Sequence, residues 1–148
     1  MDPFTLLEKD HRAVEQAFKK FENAGTSQEK KKIAQQIIAD LRVHTTIEEE
    51  IFYPVARRKM DSDGREMIAE AFEEHHMIKV LMDEIEQLRS ANEQFEAKMT
   101  VLQENVEHHV EEEENELFPD ARKRLGNSAD QLGTKMAERK KALTAGVH

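Results

Sequence analysis

The chain contains no cysteine. That one absence excludes disulfides, thiolate zinc sites, iron–sulfur clusters and cysteine nucleophiles. Glycine and proline are scarce, five of one and three of the other in 148 residues, so few positions break a helix or force a turn. No Lys/Arg-rich block interrupts a chain of formal net charge −9, which argues against a nucleic-acid partner. No apolar run approaches the roughly 20 residues that cross a bilayer, and the opening MDPFTLLEKD does not resemble a signal peptide. A soluble, cytoplasmic protein without a membrane partner is the expectation. What remains is rich in Glu, Lys, Ala, Gln, Leu and Met, which favour helix. The length suits a single domain, residues 1–148, with a sizeable core.

Apolar residues recur with helical spacing in four long stretches. The first should start at Asp2–Pro3 and close on a left-handed Gly25, with stripe Phe4, Leu7, His11, Val14, Phe18, Phe21. The second opens on a Thr26/Glu29 capping box and carries Ile33, Ile37, Leu41, His44, Glu48, Ile51 until Pro54 disturbs it. After a predicted turn at Asp61–Gly64, the third runs from about Arg65 to Arg89 with Ile68, Ala71/Phe72, His75, Ile78, Leu81/Met82, Ile85 and Leu88 inward. Asn92 caps the fourth, with Phe95, Met99, Leu102, Val106, His109, Glu113, Leu117 inward. The spacing predicts an all-α, antiparallel up-down-up-down four-helix bundle over about 3–125, followed by a short fifth helix over about 128–143.

Two stretches repeat each other. HTTIEEEIFYPVAR at 44–57 and HVEEEENELFPDAR at 109–122 align at an offset of 65 residues, placing His44 on His109, Glu48 on Glu113, Glu49 on Glu114 and Pro54 on Pro119. In each, His and Glu stand four residues apart, about 400° of helical rotation, hence on one face. Each of the four helices thus turns a His inward, and two add a Glu. Burying six such groups is costly without partners, and a metal pair supplies them at once. Imidazole and carboxylate without sulfur suit iron, manganese or zinc. The expected ligands are His11 and His44 on one metal, His75 and His109 on the other, with Glu48 and Glu113 bridging two ions about 3.5–4 Å apart. His76 matches His11 at the 65-residue offset, but the apolar stripe selects His75; Pro119 selects His109 over His108. Glu111–Glu114, apart from Glu113, reads as a solvated face.

DHRAVEQAF, HTTIEEEIFYP, EEHHMIKVLMDEI and HHVEEEENELFP resemble the helix signatures of hemerythrin-like (HHE cation-binding) domains over about residues 4–125. The resemblance implies a non-haem centre of two Fe ions, oxo- or hydroxo-bridged and carboxylate-bridged, that deals with dioxygen, peroxide or nitric oxide, with peroxide scavenging as one activity. Oxygen-carrying members have a further His four residues along the third helix. Here that place holds Lys79, and Ala71 stands four before His75. An open or substituted iron position is therefore expected, with redox chemistry rather than stable oxygen carriage. Tyr53, the single tyrosine, lies away from the Glu48 face by simple helical rotation. It is expected to pack between helices with a wet hydroxyl unless the distortion at Pro54 turns it inward as a substitute ligand or proton donor.

Two other functions use related residues. One is an iron or oxygen sensor, or an iron donor, acting through a protein redox or signalling partner. The other is a ferritin-like ferroxidase built on Glu8-x-x-His11 and Glu73-x-x-His76 with Glu48 and Glu113, which would leave His44 and His109 idle.

Overall fold

The computed structural model describes residues 2–146; the C-terminal His148 lies outside them. Helix α1 spans Pro3–Asn23, with the Asp2 carboxylate accepting the Phe4 N–H at 3.2 Å. It ends on Ala24 in extended backbone, not on a left-handed Gly25. Among the described residues the one positive φ, 52°, belongs to Gly126. Helix α2 (Ser27–Ile47) is capped by Thr26, whose Oγ1 accepts the Glu29 N–H at 3.1 Å. It passes through a π-helical turn, Glu48–Phe52, into α3, Tyr53–Lys59. Helix α4 spans Ser62–Gln87. The turn predicted at 61–64 is instead its first turn: Asp61 is the cap, accepting the Gly64 N–H at 3.1 Å, and a β-carbon at Gly64 would come within 2.7 Å of the Met60 β-carbon. Helix α5 (Glu93–Glu112), capped by Asn92, repeats the second pattern: a π-helical turn, Glu113–Leu117, then α6, Phe118–Leu125. A short 3₁₀ turn, Gly126–Ser128, leads into α7, Ala129–Gly146.

Four rods, over 3–23, 27–59, 62–87 and 93–125, form the antiparallel bundle. Helix α1 packs on α2, α4 on α5 and α3 on α6, while α7 folds back over α1 and α2. No described helix is long and apolar enough to cross a membrane.

The two π turns share a cause. An α-helix would need an N–H at residue 54 for the Glu50 carbonyl, and proline has none; its ring also crowds that carbonyl. The chain widens instead, and the Tyr53 N–H reaches back five residues to the Glu48 oxygen. Ahead of Pro119, the Phe118 N–H reaches the Glu113 oxygen in the same way. Such turns are rare and concentrate at functional sites.

The core divides in two. One apolar cluster gathers Phe4, Leu7, Phe52, Ile68, Leu117 and Phe118; the other gathers Phe18, Ile37, Leu41, Ile78, Met82 and Leu102. Along every rod the residue between the two clusters is a buried histidine, and on two rods a buried glutamate follows. Phe4, Phe52 and Phe118 meet with ring centroids 5.5–5.8 Å apart. Each pair contributes about 0.5–1.5 kcal/mol beyond area burial and ties the two π turns together beneath this polar layer.

Candidate metal centre

The layer contains His11 from α1, His44 from α2, His75 from α4, His109 from α5, and Glu48 and Glu113 from the two π turns, all at most 7% exposed. They fall into two poles. His11 stands against His44, ring centroids 5.0 Å apart, and His75 against His109 at 4.7 Å. Glu48 Oε1 lies 3.1 Å from His44 Nε2 and 3.0 Å from His75 Nε2, so it faces both poles. Glu113 splits its oxygens, Oε1 at 3.2 Å from His11 Nε2 and Oε2 at 3.3 Å from His109 Nε2. Atoms of His11, His44, Glu48 and Glu113 that could ligate a metal lie within 4.8 Å of one another, as do those of Glu48, His75 and His109.

The donor set fits a cation pair. His11 Nε2, His44 Nε2, both Glu48 oxygens and Glu113 Oε1 are buried without a hydrogen-bond partner. Each such orphan costs about 1–3 kcal/mol. All five point into one small volume, where two cations would satisfy every one.

A ring of carboxylates, not foreseen from the sequence, orients the imidazoles. His11 Nδ1 lies 2.6 Å from Glu114 Oε2, His44 Nδ1 2.9 Å from Asp10 Oδ2, His75 Nδ1 2.8 Å from Glu49 Oε2 and His109 Nδ1 2.6 Å from Glu74 Oε1. Each Nδ1–H donates to its carboxylate, which leaves the Nε2 lone pair for a metal and raises its basicity. Glu114 therefore does not belong to the solvated face. Its signal was present in the repeat, where Glu49 aligns with Glu114. A second signal was the acid directly before a histidine on the first and third rods, Asp10-His11 and Glu74-His75. Lys140 backs Asp10 at 2.5 Å, Lys79 backs Glu49 at 2.7 Å and Arg12 backs Glu114. Lys79, in the place of a further histidine, thus serves the carboxylate behind His75.

Burial opposes charge on His44, but attraction from Glu48 and the hydrogen bond to Asp10 prevail and push its pKa up to about 10. His75 and His109 are raised against the same burial, His75 chiefly by the neighbouring carboxylates of Glu48 and Glu49, His109 chiefly by Glu113. Burial, then the Glu113 charge, lift the Tyr53 phenol well above its usual range, so with protein groups alone it stays a proton donor.

Tyr53 departs from the expected packing role with a wet hydroxyl. It is fully buried, and its Oη donates to Glu113 Oε2 at 2.5 Å while standing 3.2 Å from His75 Nε2 and 3.3 Å from His109 Nε2. The π turn does this. An i→i+5 bond places the fifth residue, not the fourth, one turn beneath Glu48. At the equivalent place in the repeat, Phe118 stacks on His11, centroids 5.9 Å apart and rings within 4° of parallel. The other candidates stay outside. His76 and Glu73 are exposed, His108 is 67% exposed, and Glu8 pairs with Arg122 at the surface. The ferritin-like ligand set is not assembled.

A cavity of about 170 Å³ adjoins the layer on the side of the second apolar cluster. All four imidazoles border it. Val14, Leu41, Ile78 and Val106 form its walls, and Asp40, Lys140 and Thr144 form its outer rim beneath α7.

Comparison with known proteins adds the following. The Hemerythrin HHE cation binding domain family matches residues 2–121. An uncharacterized hemerythrin-like protein of Schizosaccharomyces pombe is 24% identical over 117 residues, 79% of this chain and 58% of that protein. A DNA nickase of a Nostoc species is 27% identical over 122 residues, 82% of this chain and 34% of that protein. The chain thus spans little more than half of one relative and a third of the other. A crystal structure of a hemerythrin HHE cation binding domain-containing protein from Mycobacterium kansasii superposes with a TM-score of 0.84 at 20% identity, covering 99% of this chain and 89% of that one; it supports the fold.

Proposed function

Because the chain belongs to the hemerythrin HHE cation-binding family, we propose that its polar layer holds two non-haem iron ions and that the pair reacts with dioxygen, peroxide or nitric oxide, with peroxide removal foremost. The carrying observation is the set of five orphaned buried donor atoms between the two histidine pairs. His11 and His44 would bind one ion and His75 and His109 the other, with Glu48 and Glu113 spanning both. The choice of iron over manganese or zinc follows the family, since the ligand types admit all three.

An iron pair supplies the one- and two-electron exchange with oxygen species that amino-acid side chains lack. The protein supplies the rest. Four carboxylates fix the imidazole tautomers and ring planes. The two spanning glutamates keep the poles together as charge changes. Tyr53 Oη holds a proton 2.5 Å from Glu113 Oε2 and beside the His75/His109 pole. It is placed to donate that proton to a reactant or to substitute for the absent histidine. Val14, Leu41, Ile78 and Val106 give the adjoining cavity apolar walls, and a cavity of comparable size, about 150 Å³, accepts benzene or xenon, so a diatomic gas or peroxide fits.

Elemental analysis of protein purified without added metal should give an iron-to-protein ratio near two, as expected of a two-metal site, and the oxidised protein should show oxo-to-iron charge-transfer bands in the near ultraviolet. Peroxide should turn over many times per centre. Rapid loss of iron to chelators with no turnover would favour an iron donor instead. Iron-loaded protein without those bands would end the di-iron reading.

A further inference from the structure

The apolar cavity beside the polar layer has a regular construction. On each rod its wall residue stands three positions from the histidine: Val14 from His11, Leu41 from His44, Ile78 from His75 and Val106 from His109. Residues three apart share a helix face, so the four form a collar on the bundle axis, next to all four imidazoles. The collar is made of short side chains. One turn further along, Phe18, Ile37, Met82 and Leu102 fill the axis and are at most 2% exposed. The collar instead leaves a space of about 170 Å³.

We propose that this space receives the alkyl group of a small organic hydroperoxide, so that the reactant class of the centre is R–O–O–H with R a short alkyl group such as tert-butyl. The assignment of a substrate rests on the di-iron reading; the apolar site itself does not. Hydrogen peroxide, dioxygen and nitric oxide each have two heavy atoms. A water needs about 10–15 Å³ of cavity, so each of the three uses a small part of this space. Hydrogen peroxide also gives up hydrogen bonds to water and gains none from Val, Leu and Ile walls. An alkyl group reverses that balance. It leaves water for the collar, and each buried carbon tightens binding about fourfold. A cavity of about 150 Å³ holds benzene, so a tert-butyl group fits with room for its O–O–H. The space is polar at two places, the imidazole layer and the rim of Asp40, Lys140 and Thr144 under α7. The first is the reacting end and the second the entrance. In the reaction the O–O bond breaks, one electron comes from each of two ferrous ions, two protons are taken up, and R–OH and water leave.

Two measurements test this on the full chain. The first mixes ferrous-loaded protein anaerobically with tert-butyl hydroperoxide or hydrogen peroxide in a stopped-flow instrument and follows the near-ultraviolet bands. The concentration giving half the maximal rate should be at least tenfold lower for tert-butyl hydroperoxide, a floor beneath the roughly 200-fold that four fully buried carbons would give. V106F, which fills the collar, should abolish that preference, and I78F repeats the substitution from α4. The second measures the melting temperature with benzene added. Benzene should raise it in wild type and not in V106F or I78F. Equal half-saturation by the two peroxides, a preference that both variants keep, or a wild-type melting temperature that benzene leaves unchanged overturns the proposal. Bands that appear with neither peroxide overturn the di-iron reading and the substrate assignment with it, and benzene still decides the apolar site.

Discussion

The two poles of the polar layer come from the same repeat and are not the same site. His44 and His109, Glu48 and Glu113, Glu49 and Glu114 occupy matching places. So do the π turns, each placed by a proline. One pole then receives Phe118, which stacks flat on His11. The other receives Tyr53, which brings a hydroxyl within 3.3 Å of both imidazoles and donates to Glu113. Behind the ligands, Lys140 neutralises Asp10 at the first pole, and His108 with Glu112 stands at Glu74 at the second. Symmetry builds the scaffold here. One oxygen atom, present at 53 and absent at 118, gives a proton donor to one pole and none to the other.

The largest break in this comparison should come from the residue both poles share. Glu48→Ala removes the oxygen that contacts His44 and His75, and iron content should fall from about two per chain, the two-metal value, to below one. Retention of both ions would show that the poles bind independently. Next is Tyr53→Phe, which turns the second pole into a copy of the first. Both irons should stay, and peroxide turnover should drop by about 100-fold, the scale of a lost proton donor. A variant with wild-type turnover returns Tyr53 to packing. Smaller again are Asp10→Asn and Glu74→Gln, each loosening one imidazole. Chelator competition should reveal one weakened ion in each, by about 10- to 100-fold, at opposite poles; equal loosening of both ions by either variant would dissolve the distinction.

The smallest effect is in pH. His44, His75 and His109 bind protons more tightly than usual, and a metal must displace them. For the metal-free protein a raised folded pKa stabilises below the ordinary value near 6.5, and that gain fades as pH climbs toward about 10, the value for His44. The metal-bound form needs neutral imidazoles and has no such loss. The rise in melting temperature on anaerobic addition of Fe²⁺ should therefore grow from pH 6.5 upward, with protons released on binding. A rise that shrinks with pH contradicts the assigned protonation.

Much of the arrangement was legible because facing direction is a local property. His11, His44, His75 and His109 sit on apolar stripes; of the neighbours His75 and His76, the one on the stripe is buried and the other is exposed. Helix ends were less legible, because composition admits more than one ending. At Gly25 no left-handed closure forms, since Ala24 simply turns extended. At Asp61–Gly64 a turn-like composition is also that of a capped first turn. Tyr53 was misplaced because rotation by a constant angle per residue assumes i→i+4 bonding throughout.

Composition, period and the repeated His-x-x-x-Glu determined by themselves that this chain forms a helical bundle with six polar side chains directed at its axis, since a helix's own geometry sets which residues share a face. Only the tertiary structure decided which carboxylate steadies which imidazole, as in His11 with Glu114 across the bundle, and that Tyr53 joins the centre. Those outcomes depend on how separate rods are rotated against each other and on a widened turn, and the energy that selects them lies in contacts between residues far apart in the chain.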